Sequence, residues 1–249
     1  MEIKNIILLV IFILGLVFMQ FIQAHSVEEI IDEHVEARGG RNKINSINSL
    51  YMKGIREMMG NRVPIRIIKV QGKLFRNDFE FMGTSGYTIV TPSAGWSFVS
   101  MRSGKPESLS GERLKALQPD LDIAGPLLDY AAKGNKVALI GKEDVDERQA
   151  YKIKLILNSG KEIIYFIDVK THLVIQTRQM TVEMQEGGNA AAQQERELIT
   201  NFSDYRSVDG IIFPYKVSNP GSGPDGGSIA FSKIELNKTI DRSQYKPSV

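Results

Sequence analysis

The sequence contains no cysteine among its 249 residues. This absence excludes disulfide frameworks, thiolate zinc sites, cysteine nucleophiles and acylation at a lipoprotein-type N-terminal cysteine. Histidine is also scarce, because the chain has only His25, His34 and His172, which leaves little material for histidine-based catalysis. Positive and negative charges are nearly balanced, since 31 Lys and Arg residues and 29 Asp and Glu residues give a net charge of +2. We therefore expect no broad attraction for nucleic acid or an anionic membrane surface.

The longest hydrophobic run lies at the N-terminus, from Ile6 to Ile22, and is interrupted only by Gly15 and Gln20. A positive residue before such a run and a small residue after it are typical of a secretory signal peptide. We therefore predict a signal peptide over residues 1–24, cleaved after Ala24, and a single domain over residues 25–249. The run also has the length of the shortest membrane-spanning helices, so an uncleaved inner-membrane anchor is the alternative. Both interpretations place the domain outside the cytoplasm.

Periodicity predicts one helix followed by a long series of strands. Ser26 to Glu29 form a capping box, and apolar residues then recur at helical spacing until Gly39. From about Ser49 the period changes to two, as in an antiparallel sheet with one buried face. The predicted strands cover 48–57, 62–71, 73–82, 86–91, 95–101, 136–143, 149–158, 161–168, 173–184, 195–206, 211–218 and 228–237. Short connections indicate hairpins, and a sheet of about 11–12 strands is expected to curl into an incomplete β-barrel.

One segment, from Ser103 to Gly134, interrupts the strand pattern. Ser110 is a suitable cap for a first short helix, and the Gly125-Pro126 pair for the start of a second one. These helices are expected either to form a lid over the curved sheet or to fill its core, and periodicity alone does not distinguish the two.

Several motifs suggest chemistry, but each has a simpler interpretation. Gly221, Gly223 and Gly226 match G-x-G-x-x-G, yet the motif lies between two strands and contains Pro224, whereas a dinucleotide fingerprint joins a strand to a helix. The acidic cluster from Glu143 to Glu147 lacks the spacing and central glycine of a calcium loop. We therefore predict no cofactor and no metal.

Carboxylates raise the possibility of an enzyme. Asp168 and His172 flank a tight turn, and we expect Asp168 to start that turn by bonding its own backbone. Asp120, Asp122 and Asp129 lie near the proposed helices, and paired carboxylates are what glycoside hydrolysis requires. Each is more simply a helix cap or a surface charge. A carboxylate-based hydrolase therefore remains the weakest hypothesis, and we predict that the protein is not an enzyme.

Aromatic residues are concentrated in the predicted strands, and many share the parity of the concave face. Their ordinary role is to fill the core. However, a curved sheet of this size encloses more volume than side chains readily fill, as in ligand-holding barrels. We therefore predict a hydrophobic ligand between sheet and helices, with these lining residues: Phe81, Tyr87, Trp96, Phe98, Leu127, Leu128, Tyr130 and Phe166.

The order of several segments resembles the outer-membrane lipoprotein-sorting (LolA-like) proteins of bacterial envelopes. The segments are 30–40 (IIDEHVEARGG), 86–92 (GYTIVTP), 95–98 (GWSF), 122–130 (DIAGPLLDY) and 165–175 (YFIDVKTHLVI). The resemblance covers essentially the whole of residues 25–249, and the order of the segments is more specific than any one motif.

The resemblance implies a periplasmic carrier, an unclosed antiparallel barrel with a helical lid that holds lipoprotein acyl chains without catalysis. It also implies an arginine on an early strand that holds the lid closed, for which Arg56 is the candidate. The implied partners are acyl chains of lipoproteins or other lipids and the inner- and outer-membrane proteins that handle lipoproteins, and we expect a monomer. The alternative from another class is an envelope scaffold with a fully packed barrel, whose edge pairs with another protein.

Overall fold

The computed structural model describes residues 25–58, 60–101, 104–184, 193–220 and 227–248. The predicted signal peptide and the G-x-G-x-x-G motif lie outside these residues. Within the described residues, no helix combines the length and the apolar character that crossing a membrane requires.

The chain begins with the predicted helix, α1, over Val27–Ala37. Its capping box is formed, because the backbone N–H of Ser26 donates to Glu29 Oε2 at 2.8 Å and that of Glu29 donates to Ser26 Oγ at 3.2 Å. These bonds satisfy two of the N–H groups that a helix start leaves without partners. A five-residue helix, α2, follows over Arg41–Asn45.

The rest of the described chain is mostly strand, as predicted. The strands are β1 (Ser49–Met58), β2 (Asn61–Val70), β3 (Leu74–Phe81), β4 (Thr84–Val90), β5 (Gly95–Val99), β6 (Glu107–Ser108), β7 (Lys136–Val145), β8 (Arg148–Ile156), β9 (Glu162–Asp168), β10 (Val174–Met184), β11 (Gln193–Val208), β12 (Ile211–Asn219) and β13 (Gly227–Leu236). All twelve predicted strands are present, and the two-residue β6 is an addition.

These strands form one antiparallel sheet in the order β6-β5-β4-β3-β2-β1-β13-β12-β11-β10-β9-β8-β7. Apart from β6 and β7, strands that follow one another in sequence pair with each other, and within the described residues the only non-sequential pairing joins β1 to β13. The end strands β6 and β7 do not pair with each other, so the barrel is incomplete, as predicted.

The apolar residues form a main core on the concave side of the sheet. It includes side chains from widely separated strands, such as Ile65 of β2 and Ile153 of β8, together with Ile30, Ile31 and Val35 of α1. Since a flat sheet could not bring β2 and β8 to one cluster, the sheet must curve around α1.

Two smaller clusters lie on the opposite, convex side. The second cluster contains Ile68, Leu74, Tyr87, Ile89 and Phe98, and the C-terminal segment packs on it through Ile240 and Tyr245. The third cluster contains Val145, Ala150, Phe166 and Ile175. Both faces of the sheet therefore carry buried aromatic residues, so an aromatic side chain in a strand does not by itself mark the concave face.

The interruption between β6 and β7 contains one predicted helix and not the other. The first, α3, spans Gly111–Leu117 with Ser110 as its cap, and a 3-10 turn continues it over Gln118–Leu121. The prediction of a second helix starting at Gly125-Pro126 was wrong, because residues 123–134 form bends and turns. Asp129 adopts a left-handed conformation with φ of 53°, which a continuous right-handed helix cannot contain.

Candidate ligand site on the concave face

The site begins where α1 meets the turn between β11 and β12. Gly39 has a φ of 117°, and a Cβ atom there would lie 2.3 Å from the carbonyl oxygen of Gly210. Only glycine allows this approach, and the backbone N–H of Ile212 then donates to the Arg38 carbonyl at 2.9 Å. The contact fixes the end of α1 and directs the Arg38 side chain toward the concave face.

A cavity of about 190 Å³ lies beside Arg38. It is bounded by α1, by residues 122–135 (the covering segment) and by strands β9 to β12, and its walls include His34, Arg38, Leu127, Tyr165, Phe202 and Tyr205. Known small-molecule pockets have volumes of roughly 300–1,000 Å³. In this conformation the cavity therefore has no room for a long acyl chain.

The covering segment closes the cavity with apolar side chains. Leu127 and Leu128 are buried, with exposed fractions of 4% and 2%, and both belong to the main core. Ile123 and Ala124 of the same segment are also part of that core. The segment thus occupies part of the apolar volume that the curved sheet encloses.

Polar contacts hold the covering segment to its surroundings. Arg38 Nη1 donates to the Ala124 carbonyl at 3.2 Å, and the backbone N–H of Ile123 donates to Gln71 Oε1 at 2.8 Å. Within the segment, Lys133 Nζ lies 2.6 Å from Asp122 Oδ2. Asp129 accepts from Asn45 and forms an ion pair with Arg41. Each of these contacts involves a side chain, in contrast to the continuous backbone ladders of the strands, and the exposed ones contribute only about 0–1 kcal/mol each. Movement of the segment therefore breaks no strand ladder.

Burial shapes the electrostatics around Arg38. Desolvation lowers the pKa of Arg38, although Tyr205, Tyr165 and Asp122 oppose this effect. Desolvation raises the pKa of Tyr165 and of Tyr205, so both phenols are neutral at pH 7. The Tyr205 hydroxyl donates to the Val174 carbonyl. A cation in the wall is therefore flanked by neutral hydroxyl groups.

His34 is a second buried polar group in this wall. Burial lowers its pKa to about 4, with a smaller contribution from the charge of Arg38, while the bond to His172 opposes the shift. The ring is neutral at pH 7, and its Nδ1 lies 2.8 Å from the His172 carbonyl oxygen, which can only accept. The proton is therefore on Nδ1, and the bond ties α1 to the β9–β10 turn.

We predict that His34 makes stability depend on pH. Below about pH 6.5 the unfolded chain binds a proton at His34 that the folded chain does not bind until about pH 4, so acidification favours unfolding. Between pH 7 and pH 5 this difference lowers the free energy of unfolding by about 2 kcal/mol. Urea unfolding at both pH values should show this loss for the wild type and not for His34→Asn, whose amide can still donate to His172. His25→Asn, which retains His34, is the control, and an equal slope in His34→Asn would contradict the assignment.

The predicted lining residues do not form a single group. Leu127 and Leu128 belong to the main core, and Phe81 and Tyr130 pack against it. Tyr87 and Phe98 belong to the second cluster on the convex side, with Trp96 packed against it, and the Tyr87 hydroxyl donates to the Ser248 carbonyl at 2.8 Å. Four of the eight are thus near the concave face, and the C-terminal segment packs on the cluster that contains Tyr87.

Phe166 lies on the convex side as well. It is fully buried in the third cluster, beneath Lys152 and Arg178, whose charged groups lie 5.7 Å and 4.3 Å from its ring centroid. Its neighbour Tyr165 packs against the main core and lines the cavity instead. Adjacent strand residues face opposite sides, so β9 contributes Tyr165 and not Phe166 to the candidate site.

Arg56 lies on the concave side of β1, opposite Val63 of β2 and Ile229 of β13, both of which contact the main core. This position is near the β1–β2 turn, whereas Gln71, which bonds the covering segment at Ile123, follows the far end of β2. Arg38 is the arginine that bonds the covering segment at Ala124. The latching role of Arg56 stays a prediction.

The carboxylates weighed as catalytic groups bind different partners. Asp120 lies 3.6 Å from Lys69, whereas Asp122 and Asp129 are held as described above. Asp168 accepts from Thr171 N at 2.7 Å and from Lys170 N at 3.0 Å, so its prediction as a turn residue is confirmed. Burial opposes ionisation of Asp168, yet these hydrogen bonds hold its pKa below the usual range.

The acidic cluster is a hairpin turn, as predicted. Asp146 and Glu147 have φ values of 47° and 63° between β7 and β8. Glu143 lies 2.7 Å from Lys152 and 2.9 Å from Arg178, and its pKa is lowered chiefly by the hydrogen bond from Lys152. Glu143 is thus balanced by two cations, one from β8 and one from β10.

Comparison by sequence identifies no relative, because no protein family profile matches and no protein of curated function matches either. Comparison by structure gives clear matches. A LolA superfamily protein from Nitrosomonas europaea is 13% identical, with a TM-score of 0.56 over 90% of this chain and 99% of that one. A DUF1329 family protein from Desulfovibrio piger is 12% identical, with a TM-score of 0.57 over 90% of this chain and 98% of that one. The curved open sheet described here is therefore a LolA-like fold.

Proposed function

We propose that this protein binds acyl chains of lipids or lipoproteins on the concave face of its sheet, without a catalytic step. The N-terminal hydrophobic run directs export, and the domain acts in the periplasm as a carrier or sorting factor for lipoproteins. Its exchange partners are the inner- and outer-membrane proteins that handle lipoproteins. The same fold can serve other roles, so the proposal depends on the properties of the site.

One observation carries the proposal: a turn-built segment, and not a strand or a long helix, closes the concave apolar face. Leu127 and Leu128 enter the main core from this segment, while side-chain contacts hold the segment in place. A closure of this type covers the apolar lining in the absence of ligand and uncovers it when the segment moves.

The free energies of burial allow an acyl chain to replace leucine side chains in the core. Withdrawing a buried leucine from the core costs roughly 1.5–3 kcal/mol, so Leu127 and Leu128 together cost roughly 3–6 kcal/mol. Each methylene that enters contributes about 0.8 kcal/mol. A chain of about four to eight methylenes therefore offsets the displacement of both leucines, and longer chains bind with a net gain.

Lipid binding is tested with the exported protein, purified without detergent. Native mass spectrometry should detect copurified lipid, and an apolar fluorescent probe should bind and be displaced by added long-chain lipid. A protein without bound lipid that also fails to bind the probe would contradict the proposal.

Adjacent residues of β3 provide a matched pair of variants. Phe81 packs against the main core, whereas Glu80 is exposed. Phe81→Arg should weaken probe binding by about tenfold, because it places a charge beside the apolar lining. Glu80→Arg introduces the same side chain with the opposite parity and should leave the affinity unchanged. Equal effects of the two variants would place the bound probe elsewhere.

The small cavity favours a second candidate function. A volume of about 190 Å³ beside a well-buried core is what an envelope scaffold with a packed barrel would have. Such a scaffold would bind a protein through a sheet edge, of which β7 is the longer one, and would not bind the apolar probe.

A further inference from the structure

We propose that Arg38 binds the anionic headgroup, a carboxylate or a phosphate, of a single-chain amphiphile whose tail lies on the concave face. The inference rests on the proposed function and adds the chemical class of the ligand. Neutral acyl chains would gain nothing from such a residue.

The first argument is the incomplete set of partners around Arg38. A guanidinium has five N–H donors, but within the described residues its side chain makes one hydrogen bond, to the Ala124 carbonyl. The acid that influences its pKa, Asp122, bonds Lys133, Gln71 and the backbone of Ala124 instead. A partly buried cation without a carboxylate partner is costly, and an anionic ligand would remove that cost.

The second argument is the position of this cation. Arg38 lines the cavity together with Tyr165, and the Tyr165 hydroxyl makes no hydrogen bond within the described part of the chain. Tyr165 is thus a second donor beside the same space. A guanidinium fork with a neighbouring hydroxyl matches the oxygen geometry of a carboxylate or a phosphate. The volume of about 190 Å³ suits one headgroup rather than a whole lipid.

The third argument links the headgroup to opening. The bond that Arg38 makes is to Ala124 of the covering segment. An anion in the cavity attracts the guanidinium through stronger, charge-assisted hydrogen bonds and so draws it away from this neutral carbonyl. Headgroup binding would therefore release one contact of the segment at the point where Leu127 must move to admit the tail.

The test compares three ligands with the same sixteen-carbon tail: hexadecanoate, hexadecyl phosphate and hexadecanol. Wild-type protein should bind the better of the two anions about 10-fold to 100-fold more tightly than the alcohol, as expected for a hydrogen bond to a charged group. The order of the two anions distinguishes a fatty acid from a phosphate headgroup. Arg38→Met should lose the preference for anions while it still binds hexadecanol, and Arg38→Lys should retain part of the preference.

Arg66→Met is the matched control, since Arg66 pairs with Asp78 on the convex side of the sheet and its loss should leave the preference intact. Equal affinities of the wild type for anions and alcohol, or an unchanged preference in a folded Arg38→Met protein, would overturn the inference alone. Failure of the wild type to bind any of the three ligands would overturn the proposed function with it.

Discussion

Replacement of Phe166 by alanine is expected to lower the free energy of unfolding by about 3–5 kcal/mol while leaving ligand affinity unchanged. Phe166 has no exposed surface and fills the centre of the third cluster, on the convex side of β9. Alanine would leave a cavity there and would also remove the ring beneath the cations of Lys152 and Arg178. Because the third cluster is separate from the main core, the concave lining should keep its shape.

Urea unfolding and probe titration of Phe166→Ala provide the measurement, and Tyr165→Phe is the neighbouring control. Tyr165→Phe removes only a hydroxyl group, so its stability should change little, whereas its anion affinity should fall. A loss of stability below about 1 kcal/mol in Phe166→Ala would contradict the burial described here. A large loss of ligand affinity in a folded Phe166→Ala protein would show that Phe166 contributes to the binding site, as the sequence predicted.

The hairpin pairings could be predicted from the sequence because hairpins leave a strong local signal. Alternation along strands such as β3, with short turns between them, identified every long strand. Sequential pairing then gave the order within β1 to β6 and within β7 to β13, and the curvature followed from the length of the sheet. The β1–β13 pairing, which joins the two ends of the chain, was not predicted. The capping box likewise marked α1 correctly, since it depends on residues only three positions apart.

Which aromatic residues share a face could not be predicted to the same extent. Tyr165 and Phe166 are adjacent, so one must face each side, and their identities do not say which. A register shift in β10 between Val174 and Gln176 also changes which residues of β9 and β10 face the same side of the sheet. The C-terminal segment, through Ile240 and Tyr245, also packs on a convex cluster, and this contact joins residues far apart in sequence.

Arg38 was missed for a related reason. It follows a helix and precedes two glycines, so its local pattern is that of an ordinary helix end. Its importance comes from long-range contacts, namely the approach of Gly39 to Gly210 and the bond to Ala124. The unusual pair of glycines was the only sequence signal, because it indicated a backbone that comes close to another element. The prediction of a second helix was wrong for the same kind of reason, because long-range contacts from Arg41 and Asn45 of α2 hold Asp129.

Movement of the covering segment is the central claim, and a reversible cross-link tests it most directly. Glu28 of α1 and Ala131 of the segment are both exposed and border the same crevice. Since the chain has no cysteine, Glu28→Cys with Ala131→Cys provides the only thiols, which a short reagent with a reducible bridge can join. A Lys53→Cys and Lys233→Cys pair, which are register partners on β1 and β13, is the control.

Uptake of the apolar probe should be measured before cross-linking, after it, and after reduction. We predict that joining α1 to the covering segment lowers uptake at least about tenfold. In the free protein the ligand offsets the roughly 3–6 kcal/mol that it costs to withdraw Leu127 and Leu128 from the main core. The cross-link keeps both leucines in the core, so the ligand cannot replace them. Reduction should restore uptake, and the Lys53 and Lys233 pair should have no effect in either state. Full uptake by the cross-linked protein would contradict the claim that ligands enter by displacing this segment.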